Sequence, residues 1–258
     1  MQLKPNDILK ADISCICYLL EKYRPIKYQQ YRYDTINSTK KIAIYYQPKK
    51  VIIGFRGTVI TSVRDLHSDA FIMLNKMNQN KYFKEAETAF MNIISVYPNH
   101  KIELTGHSLG GSIALYLNSL PYLENMIYKN TIFNPGITQA PIQKHIIETY
   151  AENKKNRFII KKGDPISNNI IKFKPKKIIL LEEPVIKNPL QNHSLSLFTS
   201  DKMKKYITKL IQNDGTNKSK TKTNTNTHKT KKNIIKERFI KKKEDFDIWT
   251  QLKFSKFT

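Results

Sequence analysis

The stretch that decides the fold is Lys101-Ile102-Glu103-Leu104-Thr105-Gly106-His107-Ser108-Leu109-Gly110-Gly111-Ser112-Ile113-Ala114-Leu115-Tyr116-Leu117. Lys101 to Thr105 is a short run that reads as a buried strand, and Ser112 to Leu117 reads as a helix. Between them lies Gly-x-Ser-x-Gly. Strand, one-serine turn and helix in that order form a nucleophile elbow. The turn is so tight that positions two before and two after Ser108 have no room for side chains, which Gly106 and Gly110 satisfy. Gly111 lets the helix lie close to the sheet. The elbow presents the Ser108 hydroxyl, and the helix N-terminus beneath it favours developing negative charge.

Outward from the elbow, strands alternate with helices. Asp7 can cap a helix that turns Ile8, Ala11, Ile13, Ile16, Leu19 and Leu20 to a core and ends before Pro25. Lys41–Tyr46 and Lys50–Phe55 read as strands, and Gln47-Pro48-Lys49 between them is short enough for a hairpin. Ser62–Leu74 and Lys81–Val96 carry apolar residues at helical spacing. Strands follow at 129–133, 157–161 and 177–181, with helices at about 141–152 and 201–212. Short continuous Ile/Val/Leu strands separated by helices predict an α/β fold: a mostly parallel central sheet, helices on both faces, and an antiparallel edge hairpin.

The chain has 258 residues and a net charge of +24, enough length for one α/β domain plus an appendage. Residues 1–201 hold 28 Lys and Arg against 16 Asp and Glu, while 202–258 hold 17 against 5. Half of the excess charge therefore sits in the last 57 residues. Three parts are expected: a domain over 1–212, a Lys/Thr/Asn-rich disordered linker over 213–233, and a basic amphipathic segment over 234–258. The linker has almost no large apolar residue to offset its chain entropy. The last segment places Ile235, Phe239, Phe246, Trp249 and Leu252 near helical spacing among lysines. Cys15 and Cys17 read as small buried hydrophobes, and the absence of a disulfide framework suits a reducing compartment. No apolar leader and no run of about 18 apolar residues is seen, so an intracellular or particle-enclosed protein is expected.

A serine nucleophile needs a base and the base an orienting acid. Asp164 follows a strand and is pinned in Gly163-Asp164-Pro165. Of six histidines, His107 belongs to the elbow and points away from the site. His67 and His145 fall in helices, His100 begins a strand at the far end of the sheet, and His228 lies in the linker. His193 remains, in a loop between the last strand and the closing helix. The order Ser108, Asp164, His193 is that of hydrolases built on such a sheet. For the oxyanion, the Leu109 N–H comes with the elbow, and Thr58 after Phe55-Arg56-Gly57 offers an N–H and a hydroxyl.

Phe55-Arg56-Gly57-Thr58, Asp65-Leu66-His67-Ser68-Asp69-Ala70, Gly106-His107-Ser108-Leu109-Gly110-Gly111, Gly163-Asp164-Pro165-Ile166 and His193-Ser194-Leu195 together resemble the class 3 (fungal-type) lipase family, over roughly residues 40–200. The resemblance implies an α/β-hydrolase fold, no metal or other cofactor, and hydrolysis of carboxylic esters in acylglycerols or phospholipids. It implies Ser108 as nucleophile, Asp164 as acid, His193 as base, Thr58 and Leu109 as the oxyanion hole, and Asp69 as support for the oxyanion residue. It also implies a lid, for which Ser62–Leu74 stands in the right place; a helix simply packed on the core is the other reading. The chain departs from the family in having Leu66 where Trp is usual, a longer step from Thr58 to Asp65, and a short interval from Asp164 to His193.

The partners expected are a lipid or other ester and, through the basic tail, an anionic membrane surface, with nucleic acid less favoured. A second reading keeps the hydrolase scaffold as a binding or packaging protein that works through its tail.

Overall fold

A computed structural model describes residues 3–58, 81–136, 144–182 and 189–217. Helix α1 (Pro5–Ile16) leads to strands β1 (Lys27–Tyr28), β2 (Tyr31–Tyr33), β3 (Ile42–Gln47) and β4 (Lys50–Phe55). Then follow α2 (Lys81–Val96), β5 (Lys101–Ser108), α3 (Leu109–Ser119), α4 (Pro121–Glu124), β6 (Ile127–Pro135) and α5 (Lys144–Glu152). The chain continues with β7 (Asn156–Lys161), α6 (Asn168–Ile171), β8 (Ile178–Leu181), α7 (Pro189–Asn192) and α8 (Asp201–Asn217).

One eight-stranded sheet runs β1-β2-β3-β4-β5-β6-β7-β8. The first four strands pair antiparallel and β4 through β8 pair parallel. This is the expected α/β sheet, with one addition: the antiparallel edge extends beyond the 41–55 hairpin into β1 and β2. Two and three residues long, those strands present too short a pattern to stand out from the surrounding loop.

Strand side chains alternate between two cores. Ala43, Tyr45, Ile52, Phe133 and Ile159 face α1 and α8. Ile42, Ile44, Val51, Ile53 and Phe55 face the side of α2 and α3, where Phe83, Ala86, Phe90 and Ile93 of α2 are buried against them. Ile132, Phe158 and Ile160 continue that face toward α5. Burial on both faces is what the unbroken apolar strands require. Cys15 and Cys17 are free and buried in the first core.

Helix α1 departs from a simple amphipathic reading. Asp7 is not its N-cap but lies in its first turn, accepting the Lys4 N–H at 3.3 Å and pairing with Arg157 at 2.9 Å. Ile8 is only half-buried, whereas Lys10, Asp12 and Ser14 are fully buried. Their partners lie far along the chain: Glu103 at 2.5 Å from Lys10 Nζ, Tyr28 and Ser200 on Asp12, and Thr105 at 2.9 Å from Ser14. A polar group can be buried at modest cost when it is paired in this way.

The expected helix over 62–74, Asp69 within it, and the segment 218–258 lie outside the described residues. Helix α8 runs on to Asn217, past position 212. No helix among the described residues is long and apolar enough to cross a membrane.

Candidate active site

The parallel strands β4 to β8 present their C-terminal ends along one edge of the sheet, where α/β folds place their working groups. Ser108 ends β5 and precedes α3. Its backbone is at φ 55°, ψ −127°, a conformation costly for a residue with a Cβ and one that the elbow imposes. A Cβ on Gly106 would sit 2.3 Å from the Gly110 backbone, and one on Gly110 would sit 2.1 Å from the Phe55 carbonyl oxygen. Both glycines are thus dictated by close approach. The Ser108 carbonyl accepts the Gly136 N–H at 3.1 Å, which ties the elbow to the end of β6. Ser108 itself is buried.

Asp164 lies in the turn after β7, next to Gly163 at φ 86°. It is fully buried. His193 Nδ1 stands 3.0 and 2.9 Å from its two carboxylate oxygens. The Ile166 N–H donates to it at 3.0 Å, and the Ser167 hydroxyl donates to its other oxygen. Burial alone would raise the Asp164 carboxyl. The charge of His193, with the hydrogen bonds from His193, Ser167 and Ile166, outweighs burial and holds it below the ordinary carboxylate value. Because carboxylate oxygens accept, His193 donates from Nδ1, and Nε2 is the ring nitrogen left over for another partner. That Nε2 is buried and has no hydrogen-bond partner among the described residues, the Ser108 hydroxyl included. Catalytic hydrogen bonds are often long in ligand-free sites and tighten on substrate.

Leu109 opens α3, so its N–H is one of the free donors at the helix start. Thr58 follows Gly57 on the segment leaving β4. Gly57 abuts the elbow: a Cβ there would be 3.3 Å from that of Ser108 and 2.5 Å from the His107 carbonyl. The two expected oxyanion donors thus sit on segments that converge at Ser108. Asp69 lies outside the described residues. Among the described residues no group of three or more His, Cys, Asp or Glu is placed to hold a metal.

The structure brings Asp164 and His193 together at the edge that carries the Ser108 turn, and around them stand three residues that the sequence did not single out. His107, set aside in the sequence as pointing away from the site, packs against His193. Its ring lies 4.8 Å from that of His193, and its Nε2–H donates to the His193 carbonyl at 2.6 Å. The Tyr18 hydroxyl completes the pair, at 3.2 Å from His107 Nδ1. Burial, then repulsion from His193, pushes the His107 imidazole down to about 3, so it stays neutral. Asn134, read only as the end of a strand, is fully buried at φ 39° and bonds to the segments that carry Asp164 and His193. An Asn that ends a strand and is followed by Pro-Gly was the available signal, since Asn tolerates positive φ.

A sequence model of the family Lipase (class 3) matches residues 52–169. A GDSL esterase/lipase of Arabidopsis thaliana is 33% identical over 98 residues, which is 37% of this chain and 28% of that protein. The chain thus spans little more than a quarter of the length of that relative. Among solved structures, Lip2 lipase from Yarrowia lipolytica has a TM-score of 0.48 at 18% identity, covering 71% of this chain and 81% of its own. A Rhizomucor miehei lipase has a TM-score of 0.42 at 15% identity, covering 63% and 61%. His193 lies beyond the matched stretch and is joined to it by its bonds to Asp164. Residues 52–169, which hold Thr58, the elbow and Asp164, thus match the class 3 lipase family model and lie on a mostly parallel α/β sheet.

Proposed function

We propose that the protein hydrolyses carboxylic esters of lipids through Ser108, His193 and Asp164. The observation that carries the reading is the buried pair of His193 on Asp164, both oxygens within 3.0 Å, at the same sheet edge as a strained Ser108 elbow.

In the first half of the reaction His193 Nε2 takes the Ser108 hydroxyl proton as the serine oxygen attacks the acyl carbonyl. The carbonyl oxygen becomes an oxyanion held by the Leu109 N–H and by Thr58. The imidazolium so formed is stabilised by the Asp164 carboxylate. The tetrahedral adduct collapses, the ester C–O bond breaks, and His193 gives its proton to the departing alcohol. In the second half, water attacks the acyl-serine, losing its proton to His193. Collapse then frees the acid and returns the proton to Ser108. The reading needs no metal and no cofactor, and Asp69 takes the place of the family's support for Thr58.

A lipid substrate is supported by the class 3 lipase match. The basic segment 234–258 fits attachment to an anionic lipid surface, its lysines meeting headgroups and its Phe, Trp and Leu entering the interface. Ser108→Ala tests the chemistry. Hydrolysis of a short p-nitrophenyl ester and of a mixed acylglycerol and phospholipid panel should fall by ~10³-fold or more. Equal rates in folded wild type and variant would refute it.

A further inference from the structure

Two consecutive carbonyls of the base's segment are each held by a side chain from the end of a parallel strand. Asn134, at the end of β6, donates from Nδ2 to the Asn192 carbonyl at 3.0 Å. His107, at the end of β5, donates from Nε2 to the His193 carbonyl at 2.6 Å. The other end of each side chain is also occupied. Asn134 Oδ1 accepts the Lys161 N–H at 2.9 Å, at the start of the turn that carries Asp164, and lies 3.4 Å from the Ser167 hydroxyl. Ser167 in turn donates to the Asp164 carboxylate. His107 Nδ1 accepts from Tyr18 of the segment after α1, whose hydroxyl lies against Gly57, next to Thr58: a Cβ on Gly57 would sit 2.3 Å from it.

We propose that Asn134 and His107 are positioning residues: a two-point clamp in which β6 and β5 set the His193 imidazole, and Asn134 fixes the acid and the base relative to each other. The inference rests on His193 being the base of the reading above. The chemistry of each position is specific. Asn134 must offer an acceptor to Lys161 N–H and a donor to the Asn192 carbonyl at once, which an amide does and a carboxylate does not. Its backbone lies in the left-handed region, which glycine also adopts, so Asn134→Gly removes the clamp without forcing the backbone. His107 must be neutral and protonated on Nε2, and the Tyr18 hydroxyl on Nδ1 selects that tautomer. An imidazole that hangs from a loop would sample many orientations; held at two adjacent carbonyls it does not, and near-attack geometry depends on fractions of an ångström.

The test uses the full chain and two readouts. One is kcat and KM on a short p-nitrophenyl ester. The other is the proton NMR resonance of the His193 Nδ1–H, identified by its loss in His193→Gln. Asn134→Gly and Asn134→Asp should each lower kcat by about 10–100-fold with KM within about threefold, while thermal unfolding stays cooperative. His107→Leu should behave alike, and His107→Gln, whose amide N–H reaches the same carbonyl, should restore most of the rate. In the impaired variants the His193 Nδ1–H resonance should broaden or exchange faster. Folded Asn134→Gly with kcat within about twofold of wild type and an unchanged resonance would overturn the clamp. So would a loss of rate with the resonance unchanged. If the wild type hydrolyses nothing but the resonance still responds to Asn134→Gly, the clamp stands and the hydrolase reading fails.

Discussion

Asp164 and His107 illustrate how a few buried groups set the chemistry of the whole sheet edge. Asp164 has no contact with solvent, so its charge is tolerated because two hydrogen-bond donors, the Ile166 N–H and the Ser167 hydroxyl, and the His193 imidazole face it. Asp164→Asn keeps the shape but loses the charge that balances the imidazolium, and kcat should fall by about 10³–10⁴-fold with KM little changed. A loss below about tenfold would mean that another group serves as the acid. His107 makes a different prediction, on stability. Its folded-state value is about 3 against an ordinary 6.5, so the unfolded chain binds its proton first. The stability it contributes is whole above pH 6.5 and is lost as pH falls toward 3, at about 1.4 kcal/mol per pH unit once the unfolded histidine is protonated. Asp164, held below its ordinary 3.8, adds a further loss only lower in that range. Urea midpoints measured from pH 7 to 4 should drop steeply in wild type and less so in His107→Gln; parallel curves would show that His107 is not the group responsible.

At the scale of elements, the elbow and α2 are the two places where the fold admits least change. Gly110→Ala would drive a Cβ to 2.1 Å from the Phe55 carbonyl oxygen, which is backbone and cannot step aside. The expected result is a loss of at least about 3 kcal/mol and of soluble folded protein; a folded, active Gly110→Ala would contradict the packing of β4 on the elbow. Phe90→Ala in α2, fully buried against β3 to β5, should cost about 3–5 kcal/mol by chemical denaturation. These features were legible in the sequence because they are local: apolar runs for the parallel strands, 3.6-residue spacing for α2, and two glycines flanking one serine. What escaped was long-range. The buried polar face of α1 is satisfied by Glu103 and Thr131, about a hundred residues away, and no local period reveals such partners. The same holds for His107 and Asn134, whose partners lie 86 and 58 residues on. Strands β1 and β2 escaped because two and three residues are too few to show a period.

Taken whole, the molecule joins a buried sheet edge to a strongly cationic sequence. The sheet order alone brings Thr58, Ser108, Asn134, Asp164 and His193 to one side, because β4 to β8 run parallel and each feeds its C-terminal loop to the same edge. The tail carries much of the net charge. Cutting the chain after Asn217, where α8 ends, should leave hydrolysis of a soluble short ester within about twofold. It should weaken sedimentation with anionic liposomes by about tenfold or more, most clearly at low salt. Unchanged liposome binding would move the membrane role off the tail. The central claim, a serine nucleophile at the elbow, is tested most directly by labelling the folded chain with a fluorophosphonate and mapping the adduct by mass spectrometry. One adduct per chain is expected, on Ser108, absent in Ser108→Ala and slowed in Asp164→Asn; a folded wild type that stays unlabelled, or carries its label elsewhere, would rule out Ser108 as the nucleophile.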